Sequence, residues 1–338
     1  MNVWVLAARP KTLIAAISPV MIGTVIARTE KFSVWVFLFT LLTVIGVQIA
    51  TNFANDYFDF LKGSDTKKRL GPQRVTAAGL VKPSQMKKAV IVSLITTFCL
   101  GLYLIYVGGM EIALLLILSL ILAVMYTKGK YAIAYLGLGE IFVFFFFGPV
   151  ATTATYYLQT KEVISYAVLA GISPGALSTC ILLINNIRDF EEDKVAHKNT
   201  LVVRFGRNFG KMLYAALLMI GTLFPLVFFK DHPYVAITAC TIFPALFPLR
   251  ALFRTTHFNL ETAVGARKEM QYFESEALPK GVDHSQMVKA TPFGRAYGSK
   301  NRVYLPHPTA VSRLNPLLAK TAQILLLFTL IFCATWNM

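Results

Sequence analysis

Acidic side chains are scarce in this 338-residue chain, and seven of the 17 fall in two short clusters: Asp56, Asp59 and Asp65, then Asp189, Glu191, Glu192 and Asp193. Asparagines precede each cluster, Asn52 and Asn55 in the first and Asn185 and Asn186 in the second. Asn52, Asp56 and Asp59 are spaced by four and three residues, and Asn186, Asp189 and Asp193 by three and four, so each triplet shares one face of a helix. Carboxylates stacked this way at the edge of hydrocarbon repel one another and lose hydration, so the arrangement requires cations. The donors are oxygens without His or Cys, which points to a hard divalent ion, Mg²⁺. That ion takes one or two carboxylates and completes its shell from water and phosphate oxygen. Basic residues follow both clusters: Lys67, Lys68, Arg69 and Arg74 after the first, Lys194, Lys198 and Arg204 after the second. Carboxylate, metal and Lys/Arg together are the groups that hold a diphosphate. Arg74 and Lys198 are the leading candidates for that role, whereas Lys82, Lys87 and Lys88 read as side chains solvated at lipid headgroups.

The elements that carry these clusters follow from composition. Apolar residues make up 56% and charged residues 15%, with a mean hydropathy of +0.59, far from a soluble domain with about 25% charged residues. A cytosolic globular enzyme, a disordered chain and a disulfide scaffold are excluded. Nine apolar runs have the length expected of membrane helices: 12–27, 32–53, 89–110, 112–127, 133–157, 163–187, 212–229, 234–249 and 317–336. The first reads as a retained helix rather than a cleaved signal, since no small-residue cleavage site precedes Arg28 to Lys31. Both acidic clusters prolong a membrane helix at the same end. The four cysteines lie far apart inside apolar runs and read as core thiols.

Basic residues set the orientation. With the N-terminus inside, 29 of the 33 Lys and Arg fall on inner segments and 4 on outer ones, so both acidic clusters are expected in the cytoplasm and the C-terminus outside. The chain is read as a single polytopic domain, 1–338, in which 254–313 forms a long polar cytoplasmic loop. Glu140 lies within the fifth run, either as a functional intramembrane acid or as one facing headgroups near the helix end. No P-loop, paired-glycine fingerprint or histidine cluster occurs. A transporter would also place acids near a membrane, but its coupling carboxylates usually sit near the midplane on broken helices; here both clusters lie at one face.

The segments Asn55-Asp-Tyr-Phe-Asp59-Phe-Leu-Lys-Gly63-Ser-Asp65 with Gly71-Pro-Gln-Arg74, and Asn185-Asn-Ile-Arg-Asp189-Phe-Glu-Glu-Asp193 with Lys198, resemble the UbiA-type intramembrane prenyltransferases. Arg9-Pro-Lys-Thr12, Gly137-Leu-Gly-Glu140, Phe147-Gly-Pro149 and Leu314-Asn-Pro316 strengthen the likeness, which is greatest to the menaquinone branch, the 1,4-dihydroxy-2-naphthoate polyprenyltransferases. The resemblance covers nearly the whole chain apart from the long loop. Ala78 stands where the branch often has Ser, and His197 where it often has Gly.

The resemblance implies an all-α membrane protein, with nine transmembrane helices around a central cavity and cytoplasmic cap loops. It implies an enzyme of the cytoplasmic (inner) membrane that joins a polyprenyl diphosphate to an aromatic hydroxy acid with loss of CO₂, in menaquinone biosynthesis. Other acceptors such as 1,4-dihydroxy-6-naphthoate, 4-hydroxybenzoate or homogentisate remain open. Asn55, Asp59, Asp65, Asp189 and Asp193 would hold Mg²⁺, with Asp59, Asp189, Arg74 and Lys198 carrying the chemistry. Asn52, Asn55, Asp56, Asn186, Arg74, Lys198, Arg204 and Glu140 would contact substrate. The lipid bilayer is the expected surrounding, with no nucleic acid and no obligate protein partner.

Overall fold

The computed structural model describes residues 2–64, 71–129, 131–254 and 314–338, in which helices are the only regular elements. Eight helices are long and apolar enough to cross a membrane: α2 (Pro10–Ala27), α3 (Val34–Leu61), α4 (Pro83–Gly108), α6 (Gly139–Thr160), α7 (Ser165–Arg188), α10 (Arg207–Phe228), α11 (Pro233–Arg254) and α12 (Asn315–Thr335). The fourth apolar run forms the shorter α5 (Met110–Met125). Three short helices, α1 (Val3–Ala8), α8 (Phe190–Val195) and α9 (Leu201–Phe205), lie at the ends of spans. Continuous helix suits these runs because lipid offers no partner for a free backbone N–H or C=O.

Helix length explains how the first cluster leaves the hydrocarbon. α3 has 28 residues; at roughly 1.5 Å per residue it is about 42 Å long, against about 30 Å of hydrocarbon. Its last turns, which carry Asn55, Asp56 and Asp59, therefore project beyond the apolar layer. α7 ends differently. It stops at Arg188, Asp189 takes a non-helical conformation, and α8 begins at Phe190. The single helix face expected for Asn186, Asp189 and Asp193 is thus interrupted. Glu191, Glu192 and Asp193 occupy the first turn of α8, where carboxylates are favoured by the exposed backbone N–H groups.

α7 is the most enclosed of these spans, with 78% of its apolar stretch buried. Small residues allow this. A Cβ on Gly148 would stand 2.5 Å from the Gly171 carbonyl oxygen and 2.8 Å from Gly175 Cα, so α6 and α7 meet backbone to backbone. The same stretch of α6 widens into a π turn at Phe146–Val150, which contains Pro149. Side-chain hydroxyls bind other helices together: Ser18 with Thr329 at 2.6 Å joins α2 to α12, and Tyr214 with Thr321 at 2.9 Å joins α10 to α12. Cys180 is buried as expected, but Cys99 and Cys240 are exposed on the outside of the bundle and are not core thiols. Apolar helices need no polar outer surface when lipid surrounds them.

The connections sort onto two ends. At one, Lys62 donates to the Gly129 carbonyl at 3.0 Å, Asn199 N–H meets the Tyr135 carbonyl at 3.3 Å, and Arg204 reaches the Leu136 carbonyl at 2.8 Å. At the other, Tyr156 donates to Glu30 at 2.8 Å, Gln159 clasps the Ser33 backbone, and Tyr166 binds Asp231. Both acidic clusters belong to the first end. The loop 254–313 expected from sequence falls outside the described residues, apart from its first residue.

Candidate active site

A cavity of about 300 Å³ runs down the middle of the bundle. Its deep end is apolar, with Leu104, Ile112 and Leu158; its mouth carries Asn52, Asn55, Tyr126 and Asn185. Asp59 lies one helical turn beyond Asn55, and Asp189 four residues beyond Asn185, so carboxylates rim the polar end of an apolar shaft. A second groove of about 440 Å³ lies between α11 and α12, bordered by Pro244, Phe247, Lys320 and Gln323. It carries no carboxylate and is no seat for this chemistry.

The neighbouring acids of α3 have different duties. Asp56 is 1% exposed, and its two oxygens accept the backbone N–H groups of Val75 and Thr76, each at 3.0 Å. It relieves its charge on protein donors and clamps the loop that bears Arg74. Asp59, also buried, accepts from the Tyr135 hydroxyl at 2.9 Å and faces Arg74 Nη2 at 3.9 Å. Asn55 accepts from Thr127 at 3.0 Å, while Asn52 donates to the Ala8 carbonyl at 2.8 Å and to Thr12 at 3.1 Å. Asn52 thereby fixes the break between α1 and α2, where Arg9 sits with left-handed backbone (φ 52°) and lines the cavity.

In the second cluster the Arg188 guanidinium grips Asp189 bidentately at 2.6 and 2.9 Å and reaches Asn315 at 3.2 Å, which ties the motif to α12. Lys198 Nζ stands 3.8 Å from Asp193. His197, where the branch often has Gly, has φ of 53°; glycine enters that left-handed region without strain, whereas a side chain there is costly. Asn186 donates to Glu140 at 2.8 Å, both buried. Glu140 therefore faces a protein amide inside the bundle and not the headgroups. Of the residues expected to touch substrate, Asn52 and Asn55 line the cavity. Asp56, Arg74, Glu140, Asn186, Lys198 and Arg204 do not line it.

Lys62 completes the rim. Its ammonium lies 3.7 Å from the centre of the Tyr135 ring. Burial pulls its pKa below the usual lysine value; Asp59 opposes that shift and Lys198 adds to it. Arg9, Lys62, Tyr135, Asn185 and Arg188 were not singled out from the sequence as site residues. Arg9, Lys62, Asn185 and Arg188 stand within the segments that carry the family resemblance, and Tyr135 alone lies outside all of them.

The donor set suits Mg²⁺. Asn55, Asp59 and Asp193 can each present side-chain oxygen, with Asp59 3.9 Å from Arg74 and Asp193 3.8 Å from Lys198, whereas both oxygens of Asp189 already accept from Arg188. Among the described residues no three His, Cys, Asp or Glu side chains form a ready-made metal cage. Mg²⁺ takes one or two carboxylates and completes its shell from water and phosphate oxygen. Asp65 lies outside the described residues.

Fold and site together define an integral membrane protein whose apolar cavity opens, at one end of the bundle, beside two groups of carboxylates. The chain belongs to the UbiA prenyltransferase family, which its residues 16–264 match, and it is thus a prenyltransferase of the membrane. It is 38% identical to the 1,4-dihydroxy-2-naphthoate octaprenyltransferase of Haemophilus influenzae over 68% of this chain and 77% of that protein. It is also 38% identical to the Escherichia coli enzyme of the same name, over 67% and 76%. An apo UbiA homologue from Aeropyrum pernix shares the fold with a TM-score of 0.58 at 14% identity, covering 72% of this chain and 90% of that one. A homologue from Archaeoglobus fulgidus, solved with DMAPP and Mg²⁺, aligns with a TM-score of 0.52 at 11% identity over 98% and 99%.

Proposed function

We propose that this protein transfers a polyprenyl group from polyprenyl diphosphate to 1,4-dihydroxy-2-naphthoate with loss of CO₂, giving demethylmenaquinol for menaquinone biosynthesis. The observation that carries this reading is the apolar shaft of about 300 Å³ with Asn55 and Asn185 at its mouth and Asp59, Asp189, Arg74 and Lys198 beyond them. Its acceptor assignment is supported by relatives of that name in Haemophilus influenzae and Escherichia coli.

In this reading Asn55, Asp59, Asp65, Asp189 and Asp193 would hold Mg²⁺, which when bound would supply positive charge to the diphosphate leaving group. Arg74 and Lys198 bind diphosphate oxygens and stabilise the charge that grows as the allylic carbon–oxygen bond breaks with its electrons going to diphosphate. Arg9, a cation on the cavity wall, pairs with the carboxylate of the acceptor. The electron-rich ring bonds to the allylic carbon. Departure of CO₂ leaves the electrons of its bond in the ring and restores aromaticity. Leu104, Ile112 and Leu158 keep water from an allylic cation it would quench. In this reading the rim faces the cytoplasm, where isoprenoid diphosphates and soluble aromatic acids are made.

The test is mass analysis of the product formed by the purified protein in liposomes given geranylgeranyl diphosphate, Mg²⁺ and a panel of aromatic acceptors. A prenylated naphthalenediol lacking the carboxyl group is expected. Exclusive prenylation of 4-hydroxybenzoate or homogentisate would overturn the acceptor assignment.

A further inference from the structure

Tyr135 ends the short 3₁₀ turn Ile133–Tyr135 between α5 and α6, outside both acidic motifs. Its contacts nonetheless reach both. The hydroxyl donates to Asp59 Oδ1 at 2.9 Å and lies 2.7 Å from the Ser64 hydroxyl. A phenol has one proton, so with that proton on Asp59 the Ser64 hydroxyl is the donor to Tyr135. One relay then runs from Ser64 through Tyr135 to Asp59. The ring attracts two cations: Lys62 Nζ lies 3.7 Å from its centre and Lys198 Nζ 5.7 Å. The Tyr135 carbonyl accepts the Asn199 N–H at 3.3 Å. Asp59, Lys62 and Ser64 belong to the first motif, and Lys198 and Asn199 to the second.

We propose that Tyr135 is a positioning residue with two separable tasks. Its hydroxyl fixes the orientation of Asp59, and its ring keeps the ammonium groups of Lys62 and Lys198 beside the rim until a diphosphate takes them. An aromatic face is suited to the second task because it attracts a cation without neutralising it. The ring shares these lysines with oxygen partners, the Gly129 carbonyl 3.0 Å from Lys62 and Asp193 3.8 Å from Lys198. Tyr135 also gives the two motif loops a common anchor, so that the first carboxylate and the second basic residue keep a fixed separation. The inference rests on the prenyl-transfer reading above.

The two tasks predict different kinetics. Tyr135→Phe removes the hydroxyl and keeps the ring: turnover should fall by about tenfold, as for a misplaced rather than a missing carboxylate, with KM for prenyl diphosphate unchanged. Tyr135→Leu removes both, and KM should rise several-fold as well. Tyr135→Trp should restore the KM of the Leu variant but not its turnover. Binding of geranylgeranyl thiodiphosphate, which is slow to ionise, supplies a readout independent of turnover: Phe and Trp variants should bind like the wild type, and Leu more weakly. Wild-type turnover in Tyr135→Phe would remove the first task; equally tight binding by the Leu and Phe variants would remove the second. Should the Leu variant not fold, weakened binding in the stably folded Trp variant would overturn the second task and unaltered binding would support it. A wild-type protein that binds the thiodiphosphate but prenylates no acceptor would instead refute the proposed reaction.

Discussion

Glu140 and Asn186 are joined by a 2.8 Å hydrogen bond between two buried side chains, one at the start of α6 and the other near the end of α7. The contact binds the segment that carries Tyr135 to the helix that carries the second motif. Asn186→Ala leaves a buried acid without this donor and should cost about 1–3 kcal/mol. Asn186→Asp should cost more at neutral pH, because two carboxylates would meet, and should recover as falling pH protonates one of them. Thermal unfolding in detergent at several pH values measures both. Stability equal to wild type in both variants would show that the bond is dispensable.

Asp56 and Asp59 should fail in different ways. Asp56→Asn keeps one acceptor for the Val75 and Thr76 N–H groups and turns an NH₂ toward the other. Loosening of the Arg74 loop should then raise KM for prenyl diphosphate by about tenfold, the scale of one lost charge-assisted hydrogen bond. Asp59→Asn should instead cut turnover by at least about 10², as expected when a metal ligand is lost. Steady-state kinetics with the diphosphate varied separate the two, and identical profiles would refute the division. EDTA should abolish wild-type turnover and added Mg²⁺ restore it.

Gly148 should tolerate no side chain. A Cβ there would meet the Gly171 carbonyl oxygen at 2.5 Å, and both partners are backbone that cannot swing aside. Gly148→Ala should destabilise the protein by about 1–3 kcal/mol through overpacking, read as a drop of the unfolding temperature in detergent. An unchanged transition would mean that α6 and α7 can separate freely.

Orientation can be decided by labelling a cysteine-free background with an impermeant maleimide on intact cells. Asn199 and Asn337 are both exposed and lie at opposite ends of the bundle. Asn199→Cys should stay protected until the membrane is opened, whereas Asn337→Cys should react at once. Reaction of Asn199→Cys in sealed cells would invert the topology and end the case for cytoplasmic delivery of diphosphate to Asp59.

Much of this protein was legible in its residues. The two Asn/Asp clusters, the basic residues beyond them and the apolar runs stand in the sequence because lipid demands continuous apolar helix and diphosphate chemistry demands oxygen and cation donors. The likeness to the family rests on the same letters. Partners were not legible. Periodicity places Asp56 and Asp59 on one face, but only folding gives Asp56 the amides of Val75 and Thr76 and gives Asp59 the phenol of Tyr135. It likewise predicts an unbroken helix through Asp193, whereas the backbone turns at Asp189. Glu140 had two readings until Asn186 met it across 46 residues. Spacing along a helix fixes direction alone; which group waits in that direction depends on how distant segments pack, and here that packing separates acids that face the rim from acids that hold it in place.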